Sequence, residues 1–163
     1  MQASGRELVP NNVTSVAAAP SSEALAHFER LFGFETDCWD VNDALSSGSP
    51  GFVLLDVRSP EHFRSGHVAG ARSLPHGKII ASRMAAWPPE TLFVVYCAGP
   101  HCNGAARAAV RLSALGRPVK IMAGGATGWL DEGFPLVAGN AAASAEDGKH
   151  APAERPGRDI QQA

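Results

Sequence analysis

Three short apolar runs constrain this chain more than anything else in it. They are Phe52-Val53-Leu54-Leu55, Leu92-Phe93-Val94-Val95-Tyr96 and Val119-Lys120-Ile121-Met122, each followed or preceded by a helical pattern. Continuous apolar runs of strand length, separated by helical segments, predict parallel strands buried on both faces. Arg72-Ser73-Leu74, just before Pro75, adds a short strand. The resulting order of strand, helix, strand, helix, strand predicts an α/β fold, a central parallel sheet flanked by helices with right-handed crossovers. Functional sites in such sheets lie beyond the carboxyl ends of the strands. Asp56 and Cys97 both stand there.

The flanking segments read differently. Ser21 or Ser22 can cap a helix with Glu23 in its first turn, and Leu25, Phe28, Leu31 and Phe32 follow at helical spacing. A helix over residues 21–33 is expected to lie across the domain. Residues 35–39 read as a short strand. Residues 41–46 read as a short helix capped by Asp40 and stopped at Gly48-Ser49-Pro50-Gly51. Residues 1–20 and 138–163, poor in aromatics and without apolar periodicity, are expected to be disordered, leaving a folded domain over 21–137.

The most reactive position in this scheme is Cys97, at the end of an apolar run. The turn-rich segment Ala98-Gly99-Pro100-His101-Cys102-Asn103-Gly104 follows it, and then an alanine-rich helix over 105–115. Backbone N–H groups of such a loop and of the first helical turn can converge on an anion. The same partial positive charge favours thiolate over thiol and can lower a cysteine pKa from about 8.5 to ~3.5–7.5. Cys97 is therefore the candidate nucleophile, with Ala98, Gly99, Pro100, His101, Cys102, Asn103 and Gly104 as its candidate substrate-binding cradle.

Composition narrows the partners. A net charge of −2 over 163 residues gives no reason to expect nucleic acid or an anionic membrane surface. No apolar stretch approaches the ~20 residues that span a bilayer. The first residues lack the basic start and apolar core of a secretory signal. Three cysteines do not suggest a disulfide scaffold. The expectation is a cytoplasmic protein.

Three segments together resemble the rhodanese superfamily. The first runs Leu55-Asp56-Val57-Arg58-Ser59-Pro60-Glu61-His62-Phe63-Arg64-Ser65-Gly66-His67-Val68-Ala69-Gly70-Ala71, ending at Leu74-Pro75. The second is Val94-Val95-Tyr96-Cys97, the strand leading to that family's active cysteine. The third is Gly124-Gly125-Ala126-Thr127-Gly128-Trp129-Leu130-Asp131-Glu132-Gly133-Phe134-Pro135. The resemblance implies a parallel sheet between helices and a single-domain sulfurtransferase whose cysteine carries a persulfide. A small sulfur-donor anion such as thiosulfate would load the sulfur, and a thiol or cyanide would take it. Neither a cofactor nor a metal is implied.

The loop departs from the family pattern. It is longer, and it has His101 and Cys102 where an arginine is common. Within the superfamily a lengthened loop goes with phosphate- or arsenate-sized substrates, in the cell-cycle phosphatases and arsenate reductases. Those phosphatases also end their loop with an arginine, which is missing here, so the resemblance favours sulfur transfer. A non-catalytic binding or regulatory module on the same fold is the reading from a different class.

Several residues carry two readings. Cys102 is either a resolving thiol that attacks an oxidised or sulfurated Cys97, or a loop residue turned away from the pocket. His101 either donates to a bound anion or faces solvent. Arg107 and Arg111 fall opposite the Ala105, Ala108, Ala109 and Leu112 face, which places them in solvent. Asp56 and Arg58 are expected to brace the site from behind, with Asp56 accepting N–H bonds from a neighbouring loop and Arg58 pairing with Glu61. Cys38 and Trp129 are expected in the core, and Gly124, Gly125 and Gly128 at close backbone approaches to the active loop. Zinc needs four ligands in a structural site, and no second ligand pair accompanies Cys97, His101 and Cys102.

Overall fold

A computed structural model describes residues 11–140. The chain divides into two compact units, one ending at Phe32 and one beginning at Gly33. Among its described residues the first contains a single helix, α1 (Ser21–Leu31). The expected helix forms and falls in the first unit, while the strands all lie in the second. The stretches 1–10 and 141–163, expected to be disordered, lie outside the described residues.

In the second unit the order is β1 (Glu35–Thr36), α2 (Cys38–Ser46), β2 (Val53–Asp56), α3 (Pro60–Ser65), β3 (Arg72–Ser73), a 3-10 turn at His76–Lys78, α4 (Ala81–Met84), β4 (Phe93–Tyr96), α5 (Gly104–Ala114), β5 (Val119–Met122) and α6 (Gly125–Asp131). The strands form one five-stranded parallel sheet in the order β1-β5-β4-β2-β3. All three apolar runs are strands, and β4, with a neighbour on each side, is buried along its whole length.

Residue parity along the strands sorts the core into two layers. Leu54, Val94 and Tyr96 pack on one face with Cys38 and Val41 of α2, Phe63 of α3, and Ala126 and Trp129 of α6. Leu55, Phe93 and Val95 pack on the other with Met84 of α4 and Ala105, Ala108 and Leu112 of α5. The domain is thus helices, sheet, helices. No helix among the described residues is long and apolar enough to cross a membrane.

Local signals set the boundaries. The second helix starts at Cys38 rather than at 41, because Asp37, not Asp40, is its N-cap: the Asp37 carboxylate accepts the Asp40 N–H at 2.8 Å. The segment 60–65, read from sequence only as a motif, is a helix with Ser59 as N-cap and Pro60 in its first turn. Gly124 and Gly125, expected at a close backbone approach, open α6 with φ of 91° and 60°.

Candidate functional site

Parity also aims the candidate nucleophile. Tyr96 and Cys97 are consecutive, so their side chains leave β4 on opposite faces. Tyr96 enters the α2, α3 and α6 layer, while Cys97 joins the α4 and α5 layer with only 6% of its surface exposed. From there the chain runs over residues 98–103 into α5, whose first residue is Gly104, one position earlier than the sequence pattern suggests.

The Cys97 sulfur lies directly against this helix start. A Cβ built on Gly104 would stand 2.7 Å from Cys97 Sγ and 3.5 Å from Cys102 Sγ. No side chain fits there, so the sulfur rests on bare helix backbone. The loop folds back through a turn in which Cys102 N–H donates to Gly99 O at 3.0 Å, with Pro100 at the first central position. Cys97 and Cys102 are joined as a disulfide, their Cα atoms 6.4 Å apart. Among the described residues, the N–H groups of Gly99, His101, Asn103, Gly104, Ala105 and Ala106 donate to no protein acceptor. The last three are the orphan donors every helix start leaves.

The remaining loop residues divide. Gly99 is buried, with the His101 ring and Thr127 Oγ1 each 3.1 Å from where its Cβ would be. Pro100, His101 and Asn103 are exposed, Ala98 and Cys102 partly buried. Asn103 Oδ1 accepts from Arg107 Nε at 3.2 Å, so the exposed Arg107 is tied back to the loop's end.

The loop is clamped from α6. Ala126 N–H donates to Cys97 O at 3.0 Å, and Thr127 N–H donates to Ala98 O at 2.8 Å. Thr127 Oγ1 also donates to Ala98 O, at 2.9 Å. Gly125 makes this approach possible: its Cβ would be 2.5 Å from Cys97 O and 2.9 Å from Gly99 N. The sequence reading placed glycine here but missed Thr127 as a clamp. The glycine pair directly after an apolar strand was the signal available.

Asp56 and Arg58 lie on the Tyr96 side of the sheet. Arg58 donates Nε and Nη2 to the fully buried Asp56 carboxylate and Nη2 to Gly66 O at 2.6 Å. The expected Arg58–Glu61 pair is absent. Glu61 meets Arg64 on the exposed face of α3 instead, because a six-residue helix turns Glu61 outward while Arg58 precedes it on the strand-end turn. Asp56 accepts the Arg58 N–H rather than an N–H of a neighbouring loop. It also accepts from Tyr96 Oη at 2.8 Å, and Tyr96 Oη accepts the Val68 N–H at 3.0 Å. Burial, reinforced by the Asp56 charge, pushes the Tyr96 hydroxyl well above its ordinary pKa, so it stays protonated and donating. Burial opposes the Arg58 charge, but the Asp56 contacts outweigh it and hold the guanidinium ionised. This network fixes the β2 and β4 ends. Tyr96, the lone tyrosine of the chain in an otherwise apolar run, was the unread sign of it.

Cys38 is in the core as expected. Its Sγ donates to Ala123 O at 3.5 Å, and burial, with Asp37 and Glu132 adding, pushes its pKa up to about 11. It is a packing thiol. His67 is fully buried, bonds Phe63 O through Nδ1 at 2.8 Å and stacks on the Phe63 ring. Trp129 is buried, with Nε1 donating to Pro135 O.

A family model for the rhodanese-like domain matches residues 39–132, the span that holds four of the five strands, the Cys97 loop and the α6 clamp. The chain belongs to this family. An HTH-type transcriptional regulator of Mycobacterium tuberculosis, Rv0324, is 34% identical over 87 residues, which are 53% of this chain and 38% of that protein. The chain thus spans well under half the length of this curated relative. Among solved structures, the BH2092 protein from Bacillus halodurans has 29% identity and a TM-score of 0.70, covering 84% of this chain and 96% of its own. A thiosulfate sulfurtransferase from Pseudomonas aeruginosa shares the fold, with a TM-score of 0.58 and 22% identity over 73% of this chain and 22% of its own. The rhodanese-like resemblance read from the three motifs and the parallel α/β architecture are both correct.

Proposed function

We propose that this rhodanese-like domain is a sulfurtransferase that carries sulfane sulfur as a persulfide on Cys97. One observation carries the reading: the Cys97 sulfur lies against the backbone of Gly104, at the start of an eleven-residue helix, with nothing between them. Helix N-termini stabilise negative charge, and unpaired amides of the loop suit both a thiolate and an anionic donor.

With the disulfide reduced, the Cys97 thiolate attacks the outer sulfur of thiosulfate. A sulfur–sulfur bond forms to Cys97 Sγ, the donor's sulfur–sulfur bond breaks, and sulfite leaves with the electron pair. A thiolate or cyanide then takes the outer sulfur, and Cys97 leaves as thiolate. This is two-step covalent catalysis. Gly99, His101, Asn103 and Gly104 offer backbone N–H groups to the donor, while Asp56, Arg58 and Tyr96 hold the strand ends from the far face. The donor's identity and the role of each loop residue belong to the proposal. A regulatory module that senses sulfur species through the same cysteine is the second reading, favoured by the likeness to part of an HTH-type regulator.

The test is intact-protein mass spectrometry of the reduced protein after thiosulfate, compared with Cys97→Ser. One added sulfur atom, removed by cyanide and absent in the variant, is expected. An adduct that persists in Cys97→Ser, or none with thiosulfate and none with a polysulfide, overturns the assignment.

A further inference from the structure

A transferase needs one thiol in its loop, and this loop has two, already joined. We propose that Cys102 resolves the Cys97 persulfide and releases its outer sulfur as hydrosulfide, which makes the domain a dithiol-dependent sulfane reductase. The proposal rests on the persulfide reading above and adds a second step to it.

Several observations bring the two sulfurs together. Their Cα atoms are 6.4 Å apart, within the reach of a disulfide. The Gly99–Cys102 turn folds the second cysteine back over the first. Cys102 packs, partly buried, on the same apolar cluster as Cys97, so the two side chains share one face of the loop. At Gly104 a Cβ would press on both sulfurs, 2.7 Å from Cys97 Sγ and 3.5 Å from Cys102 Sγ, and glycine leaves that space open. Cys38 takes no part, being bonded to Ala123 O and held protonated by burial.

The step balances without an added oxidant. The Cys102 thiolate attacks Cys97 Sγ, the inner sulfur of the persulfide. A Cys97–Cys102 bond forms, the bond from Cys97 Sγ to the outer sulfur breaks, and that sulfur departs with the electron pair as hydrosulfide. The sulfane sulfur is reduced by two electrons while the two cysteines are oxidised to the disulfide. A dithiol then reduces the pair for another turn. The net reaction converts thiosulfate and a dithiol into sulfite, sulfide and the oxidised dithiol.

A single turnover without exogenous thiol isolates the step, since a free thiol would attack the persulfide by itself. Reduced protein, freed of reductant, receives one equivalent of thiosulfate, and sulfite, sulfide and protein mass are followed. The parent is expected to release both sulfite and sulfide and to end as the Cys97–Cys102 disulfide, with the step from persulfide to disulfide first-order and independent of protein concentration. Cys102→Ser is expected to release sulfite and stop at the persulfide, with sulfide falling at least tenfold. A parent that also stops at a stable persulfide, or equal sulfide from both proteins, overturns the resolving role and leaves the transferase reading intact. No sulfite and no adduct from either protein overturns both.

Discussion

Replacing Gly125 by alanine should damage the loop from a helix that never touches substrate. Two effects add. The φ of +60° is left-handed, which costs a residue with a Cβ roughly 1–2 kcal/mol. The new Cβ would also stand 2.5 Å from Cys97 O, 2.9 Å from Gly99 N and 3.0 Å from Ala98 C, all backbone atoms that no side-chain rotation can move. Relief requires α6 and the loop to separate. That weakens Ala126 N–H to Cys97 O and Thr127 N–H to Ala98 O, each with a net value of ~0.5–1.5 kcal/mol. The sum is ~2–5 kcal/mol, and at ~4 °C per kcal/mol for a domain of this size the melting point should fall by ~8–20 °C. Gly116→Ala is the control: its φ is +67° with nothing within 4 Å of the Cβ, so it bears the strain without the clash. Its cost should stay near ~1–2 kcal/mol. Thermal unfolding of both reduced variants by circular dichroism measures the difference. Persulfide formation should slow in Gly125→Ala as well, since misplacing a reacting group by ~1 Å costs on the order of 10²-fold. A Gly125→Ala protein that melts with Gly116→Ala and takes up sulfur at the parent rate would refute the clamp.

Tyr96→Phe removes one oxygen and leaves the Val68 N–H without an acceptor and Asp56 short of a donor in a buried site. Denaturant unfolding should show a loss of ~2–4 kcal/mol, with sulfur uptake by the folded protein retained; an unchanged midpoint would mean the network contributes nothing. Cys38 gives a pH signature. Its folded pKa of about 11 lies above the ordinary 9.0, so above pH 9 the unfolded thiol gives up its proton while the folded one keeps it. Stability is then intact below pH 9 and falls as pH rises from 9 toward 11, by this group's share. Comparing parent with Cys38→Ala across that range should show the steeper fall in the parent, and parallel curves would dismiss the shift. Iodoacetamide at pH 8 should label the reduced protein at Cys97 or Cys102 well before Cys38; equal labelling would place Cys38 outside the core.

What the sequence could determine on its own was whatever depends on local pattern. Apolar runs of strand length bounded by helical spacing identify β2, β4 and β5, since a strand buried on both faces must be apolar at every position. The same runs put Cys97 at a carboxyl end, and glycines at 124 and 125 signal a close approach. The caps were harder: Asp37 and Asp40 stand three residues apart, and either could start a helix until the backbone chose. The first helix has the right spacing for a packed element, yet spacing says only that an apolar face exists, and says nothing of where it goes. Tertiary structure alone decided the rest. Arg58 could have met Glu61 or Asp56, because charge complementarity does not encode distance, and the turn after β2 selected Asp56. That Tyr96 joins the α2, α3 and α6 layer while its neighbour Cys97 joins the α4 and α5 layer follows from strand parity, which has no meaning until two layers of helix give the faces different contents. That Thr127 holds Ala98 depends on where a loop and a helix 29 residues further on come to rest. Contacts of that kind are set by packing three layers together, and no window along the chain contains them.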